Sequence, residues 1–229
     1  MVLKIDVLSL FCDYFRGPLD VSILKKAQEK GLIEIGLVDI RTYSQERFSK
    51  VDDRPYGGGP GMVMMADPVV RALRAKKTES SRVIYLSPQG DPLTAKKCRE
   101  LAQLPHLVLL CGHYEGIDQR AIELEVDEEI SIGDFVLTNG CLASLVLIDG
   151  VSRFIPGVLG AASGADLDSF EEGLLDWPQY TRPENFEGKK VPEVLLSGNH
   201  AEIETWRREK AKEKTQKVRP DLWEKRPLA

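Results

Sequence analysis

Short runs of Val, Leu and Ile, each ending in a loop of glycine, proline or polar residues, recur through the middle of this chain. They occupy residues 83–86, 107–111 and 129–137, and residues 3–10 form a similar run. Continuous apolar runs of this length are typical of parallel strands buried on both faces. The pattern therefore predicts an α/β fold with a parallel sheet.

Helical patterns lie between these runs and near the carboxyl end. Thr94 is a predicted N-cap, and residues 142–148 predict a short apolar helix. Asn199, with Glu202 at the capping-box spacing, predicts the start of a further helix. Apolar periodicity is lost near Gly160, which indicates a linker.

We accordingly expect three parts in the chain. Residues 1–159 form the α/β domain, residues 160–171 a flexible linker, and residues 172–229 a small helical domain. No apolar run approaches the roughly 18 residues of a membrane span. The four cysteines are scattered without a CxxC pair, which favours reduced thiols in a cytoplasm.

Charge is distributed unevenly. The net charge of −5 argues against a protein that coats nucleic acid indiscriminately, because such binding depends on contacts to phosphates. Residues 182–229, however, carry 12 Lys and Arg against 9 Asp and Glu, whereas the rest of the chain carries 19 against 27. This segment is either a polyanion-binding surface or a solvated helix of mixed charge.

The loops after the three central strands indicate a ligand crevice. Open α/β sheets bind ligands beyond the carboxyl ends of their strands. No G-x-G-x-x-G follows a strand, and the glycine-rich residues 57–61 lack the Gly-Lys-Ser/Thr of a phosphate loop. A crevice in this chain would therefore use neither of these nucleotide-binding motifs; three ordinary turns are the alternative.

Several long motifs resemble those of the bacterial tRNA (guanine-N1)-methyltransferases of the SPOUT superfamily, in the same order and almost from end to end. They are residues 54–62 (RPYGGGPGM), 85–90 (YLSPQG), 111–118 (CGHYEGID), 131–137 (SIGDFVL), 151–160 (VSRFIPGVLG), 168–170 (DSF), 173–176 (GLLD), 180–183 (YTRP) and 194–202 (VLLSGNHAE).

The resemblance implies a SPOUT-type parallel sheet with a deep trefoil knot, a rare exception to unknotted topology. It also implies S-adenosylmethionine as the methyl donor, tRNA as a partner, Mg²⁺ and a homodimer whose active sites are shared between subunits. The residues that match the family's cofactor loops are Tyr85, Leu86, Ser87, Pro88, Gly90, Gly112, Tyr114, Glu115, Gly116, Ile132, Gly133, Asp134, Phe135, Val136, Leu137 and Gly140.

Two residues match the family's catalytic positions. N1 of guanine carries a proton at neutral pH, so methylation needs a base, and the resemblance gives that role to Asp168. Arg153 falls on the family's functional arginine, and a guanidinium suits negative charge developing on guanine O6. Residues expected to contact RNA are Arg54, Arg182, Asn199, Arg207 and Arg208.

One segment departs from the family pattern. The family commonly has Gly-Gly-Glu-Leu-Pro-Ala where this chain has Asn-Gly-Cys-Leu-Ala-Ser at residues 139–144. The departure lies beside the expected cofactor pocket. Two alternatives follow: a SPOUT methyltransferase acting on another RNA position, or an RNA-binding homologue with impaired catalysis.

Overall fold

A computed structural model describes residues 2–160, 168–171 and 173–225 of the protein. The chain divides into two compact units, Met1–Ala162 and Ser163–Ala229, which we describe separately. Among the described residues, no helix is both long and apolar enough to cross a membrane.

The described residues form nine strands and seven α-helices, joined by short 3-10 turns. The strands are β1 (Leu3–Ser9), β2 (Ile33–Asp39), β3 (Asp52–Asp53), β4 (Val63–Met64), β5 (Ser81–Pro92), β6 (His106–Cys111), β7 (Glu128–Ser131), β8 (Asn185–Phe186) and β9 (Lys189–Lys190). The helices are α1 (Ser22–Glu29), α2 (Ala66–Lys76), α3 (Ala95–Leu101), α4 (Gln119–Glu125), α5 (Cys141–Ser152), α6 (His200–Val218) and α7 (Pro220–Lys225).

The N-terminal unit is built on a five-stranded sheet in the order β2-β1-β6-β5-β7. Every pair of neighbouring strands in it is parallel. The α/β prediction is therefore confirmed. The strand order brings β5, β6 and β7 side by side, so the loops at their carboxyl ends meet at one edge of the sheet.

Helices cover both faces of this sheet. Along β6, Leu107 and Leu109 pack into one apolar cluster, while Val108 and Leu110 pack into the other, because successive side chains of a strand point to opposite faces. The first cluster includes residues of α1, α3 and α5, and the second includes residues of α2 and α4. This double burial explains why the strands are continuous apolar runs.

Two predicted strand ends are wrong. The strand predicted over residues 129–137 ends at Ser131, where the Ser131 hydroxyl donates to the Gly133 carbonyl and accepts from its N–H. Gly133 has a φ of 147°, a conformation that side chains rarely adopt, so the chain turns out of the sheet there. Conversely, β5 continues to Pro92 after a break in register between Leu86 and Asp91.

The predicted helix starts are confirmed. Thr94 caps α3, with its hydroxyl accepting from the Lys97 N–H at 3.1 Å. Asn199 caps α6, and its side-chain oxygen accepts from the Glu202 N–H at 3.4 Å. The predicted helix over residues 142–148 is longer, as α5.

The C-terminal unit contains the β8–β9 hairpin, α6 and α7, together with irregular segments. Most of the predicted linker, residues 161–167, lies outside the described residues. The domain limits 1–159 and 172–229 stay predictions.

Candidate active site

A cleft lies at the carboxyl ends of β6 and β7 and at the break in register of β5 that follows Leu86, and it encloses about 670 Å³ counted out to its open mouth. Three loops line it, as the sequence predicted for a ligand crevice. The predicted cofactor residues in its lining are Tyr85, Leu86, Ser87, Pro88, Gly112, Tyr114, Glu115, Gly116, Ile132, Gly133, Phe135, Val136, Leu137 and Gly140. The lining also contains residues that were not among the expected cofactor contacts: His113 and Ser131, which lie within the matching motifs, and Ile130, Thr138, Asn139 and Ala143.

Gly90 and Asp134 were also expected at the cofactor, but neither lines the cleft. A Cβ at residue 90 would collide with the backbone of Glu129 and Ile130, so glycine at this position permits β5 to pass close to β7. Asp134 is exposed at the turn between Gly133 and Phe135. The geometry therefore indicates a packing role for Gly90.

In the floor of the cleft, the backbone at residue 140 lies close to the backbone at residues 111 and 112. The Gly140 N–H donates to the Gly112 carbonyl at 2.9 Å. A Cβ at residue 140 would lie 3.0 Å from both the Cys111 Cα and the Gly112 N, and one at residue 112 would lie 2.8 Å from the Tyr85 hydroxyl. A side chain at residue 140 would require the backbone of Cys111 and Gly112 to shift, and one at residue 112 would require the Tyr85 side chain to move.

Tyr85 is buried in the cleft wall, and burial, with a smaller contribution from Glu129, raises its pKa from 10 to about 12. Because the folded pKa exceeds the unfolded one, the phenol's contribution to stability is full below pH 10. We expect it to be lost between pH 10 and 12, at a cost of up to about 2–3 kcal/mol. Unfolding free energies of the wild type and Tyr85→Phe, measured across this range, should therefore diverge; parallel curves would contradict the assignment.

The glycine-rich segment of residues 54–62 borders one of the cleft loops, a contact that the sequence did not reveal. The Glu115 N–H donates to the Met62 carbonyl at 3.0 Å, and the Met64 N–H donates to the Gly116 carbonyl at 2.9 Å. The side chain of Glu115 lies so close to Gly61 that a Cβ there would collide with it. This segment therefore fixes the position of the loop that carries Glu115.

The departure from the family pattern places Cys141 in a buried cluster behind the cleft wall. Its Sγ lies 3.2 Å from the Ser9 hydroxyl and 3.9 Å from the His113 Nε2. A hydrogen bond with Cys111, followed by those with His113 and Ser9, lowers the pKa of Cys141, whereas burial raises the pKa of Cys111. Ser144, a second substituted position, lies 3.0 Å from the Cys111 Sγ. Both substituted side chains thus have hydrogen-bond partners in this cluster, and Cys111 is a partner of each.

The two predicted catalytic residues belong to different units. Arg153, half-buried, follows the last turn of α5 in the N-terminal unit. Asp168 is exposed in the C-terminal unit, and its carbonyl accepts from the Glu171 N–H at 3.4 Å.

Hydrogen bonds hold the loop that carries Asp168. The Ser169 hydroxyl accepts from the Asp176 N–H at 2.9 Å, and the Phe170 N–H donates to the Leu174 carbonyl at 2.7 Å. The Leu175 N–H donates to the hydroxyl of Thr215, a buried residue of α6. The two motifs at residues 168–170 and 173–176 therefore form one closed loop attached to α6.

The predicted RNA contacts have different surroundings. Arg54 and Arg208 are exposed, Asn199 is exposed but caps α6, and Arg182 and Arg207 line a cavity of the C-terminal unit. Their contact with RNA stays a prediction. Within residues 2–160, 168–171 and 173–225, no group of three His, Cys, Asp or Glu side chains could hold a metal ion, so no side-chain cluster there supports the expected Mg²⁺.

Comparison with known proteins agrees with the motifs. The model of the family described as tRNA (Guanine-1)-methyltransferase TrmD matches residues 3–225. A protein of Protochlamydia amoebophila (strain UWE25), named tRNA (guanine-N(1)-)-methyltransferase, is 67% identical over 218 residues, which cover 95% of this chain and 98% of that protein.

Proteins of the same name from Chlamydia pneumoniae and Chlamydia trachomatis serovar D are 60% and 58% identical, over 96% of this chain. The chain spans only 61% and 62% of their lengths. Because the family model matches nearly the whole chain, the resemblance is confirmed: this chain belongs to the tRNA (guanine-1)-methyltransferase family of enzymes.

Proposed function

We propose that this enzyme transfers a methyl group from S-adenosylmethionine to N1 of the tRNA guanine immediately 3′ of the anticodon. The observation that carries the proposal is the cleft itself. Loops from three adjacent parallel strands converge there, and fourteen residues that match the family's cofactor positions line it. The names of the relatives support tRNA guanine as the substrate.

The lining fits the proposed cofactor. Gly112 and Gly140 leave backbone groups accessible for directed hydrogen bonds, while Ile132, Val136 and Leu137 supply apolar surface for an adenine ring. When bound, S-adenosylmethionine supplies a methyl group on a positively charged sulfur. Glu115, exposed in the same cleft, is the acidic side chain placed to favour that charge.

In the proposed reaction, Asp168 removes the N1 proton of guanine as the methyl group reaches the nitrogen. One proton would pass to the carboxylate, the N1–H bonding pair would form the new N–CH₃ bond, and the pair of the broken S–CH₃ bond would stay on the donor's sulfur, which leaves as a neutral thioether. Arg153 stabilises the negative charge that develops on O6. We place these roles on the two residues because they match the family's catalytic positions.

The finer architecture is also proposed by resemblance. The parallel order β2-β1-β6-β5-β7, with residue 140 packed against the end of β6, supports the deep trefoil knot. We further propose a homodimer in which Asp168 of one subunit serves the cleft of the other, in a cytoplasmic enzyme. Mg²⁺ has no support in the side chains described, and no step is assigned to it.

Substrate identity can be tested with radiolabelled methyl transfer to tRNA transcripts. We expect transfer to a transcript with guanine immediately 3′ of the anticodon and another guanine before it, and loss of transfer when the first guanine is replaced by adenine. Undiminished transfer to the adenine transcript would contradict the proposed position. Calorimetry with S-adenosylmethionine supplies the control, since an RNA-binding homologue without catalysis would bind none.

A further inference from the structure

The C-terminal unit contains a cavity of its own, which encloses about 980 Å³ counted out to its open mouth. Residues 177–182 form one side of it, and Ile203, Trp206 and Arg207 of α6 form another. Two of the chain's three tryptophans, Trp177 and Trp206, line this cavity, together with Tyr180. It therefore combines aromatic rings with a guanidinium group.

The aromatic rings are open to a ligand. Tyr180 is 49% exposed, and its ring centroid lies 6.3 Å from that of Trp206, with the planes inclined by 55°. Tilted rings that are exposed at a cavity form stacking surfaces, and unstacked nucleobases bind proteins by stacking on such rings.

Arg207 contributes a hydrogen-bond donor that has no acceptor. Its guanidinium carbon lies 4.9 Å from the ring centroid of Trp177, and its Nη1 lies 3.8 Å from a carboxylate oxygen of Glu204. Its Nε is buried, and no atom of the described residues accepts a hydrogen bond from it. Because the Nε is buried, a ligand in the cavity reaches the Nη groups instead, on a side chain that is 38% exposed.

Charge favours a polyanion at the same place. Arg182 also lines the cavity, and residues 182–229 carry 12 Lys and Arg against 9 Asp and Glu in a chain whose net charge is −5. A nucleotide unites the features required: a flat ring to stack, an acceptor edge for Arg207 and a phosphate for the basic surroundings. Purines present N7 as such an acceptor, and arginine commonly pairs with this edge.

We propose that this cavity binds one unstacked purine of the RNA substrate, with its ring stacked on the exposed Tyr180, its edge towards Trp206, and its acceptor atoms on the guanidinium group of Arg207. The proposal depends on the proposed function for the identity of the RNA. It adds a second base-binding site, in the C-terminal unit, to the site of the reacting guanine.

The test compares Tyr180→Leu with Tyr180→Phe in the full chain, with affinity for a tRNA transcript measured by equilibrium fluorescence anisotropy. Both replacements are apolar, but only phenylalanine can stack. We expect Tyr180→Leu to weaken binding roughly ten-fold and Tyr180→Phe to stay within about two-fold of the wild type. Arg207→Lys, which keeps the charge but loses the planar guanidinium and its paired donors, should weaken binding several-fold.

Matched controls come from the same unit. Phe186→Leu removes an exposed aromatic ring of β8 that does not line the cavity, and Arg219→Lys changes an exposed arginine paired with Asp221. Both control variants should bind the tRNA transcript with the affinity of the wild type. If Tyr180→Leu binds as tightly as Tyr180→Phe while the wild type methylates the transcript, the base-binding proposal is wrong and the proposed function stands. A wild type that binds S-adenosylmethionine but methylates no transcript contradicts the proposed function, and the affinities of the two Tyr180 variants then decide the base-binding proposal by themselves.

Discussion

Asp168→Asn should lower the rate of methyl transfer by roughly 10²–10⁴-fold, the range expected when a general base is removed. Asparagine has nearly the same shape as aspartate but cannot accept the N1 proton as a carboxylate does. The measurement is single-turnover transfer to a saturating tRNA transcript, so that product release does not obscure the chemical step.

Two comparisons show whether the loss of rate comes from removing the general base. S-adenosylmethionine binding should be unchanged in Asp168→Asn, because Asp168 is not among the residues lining the cleft of the N-terminal unit. Glu171→Gln removes one negative charge from the same loop and should stay within a few-fold of the wild-type rate. A wild-type rate in Asp168→Asn would exclude Asp168 as the base, and equal losses in both variants would indicate a general charge effect.

Gly140→Ala should reduce affinity for S-adenosylmethionine by at least about ten-fold. The added Cβ would lie 3.0 Å from the Cys111 Cα and the Gly112 N, which are backbone atoms and cannot rotate away. The end of β6 and the loop after it must therefore shift, and these form the floor of the cleft. Overpacking of this kind also costs roughly 1–3 kcal/mol of stability.

Gly160→Ala is the matched control for this substitution, because no atom of the described residues lies within 4 Å of the position that its Cβ would occupy. Calorimetric titration of both variants with S-adenosylmethionine gives the comparison directly. Equal affinities would show that the close approach at residue 140 does not shape the cofactor site.

The apolar runs predicted β5 and β6 because these strands are buried on both faces, and such burial leaves a continuous pattern in the sequence. The apolar runs did not predict correctly where the strands end. The run of residues 129–137 stays apolar past Ser131, but its second half lines the cleft instead of continuing the strand. Apolarity predicts removal from water but does not distinguish a strand from the wall of an apolar pocket.

The candidate site was predicted in outline by motif resemblance, and fourteen of its expected residues line one cleft. The roles of Asp168 and Arg153 still rest on that resemblance. The contact between Gly61 and Glu115 could not be predicted, because it joins segments more than fifty residues apart whose own patterns are unrelated. The hydrogen-bond partners of Cys141 could not be predicted for the same reason.

The sequence by itself thus determined the fold class, the helix starts at Thr94 and Asn199, and the family, since each depends on residues close together in the chain. Only the tertiary structure decided which glycines border the cleft, and it gave Gly90 a packing role instead. It alone revealed the aromatic cavity around Tyr180 and the buried Nε of Arg207. Packing distances between remote segments control these features, and no local pattern records such distances.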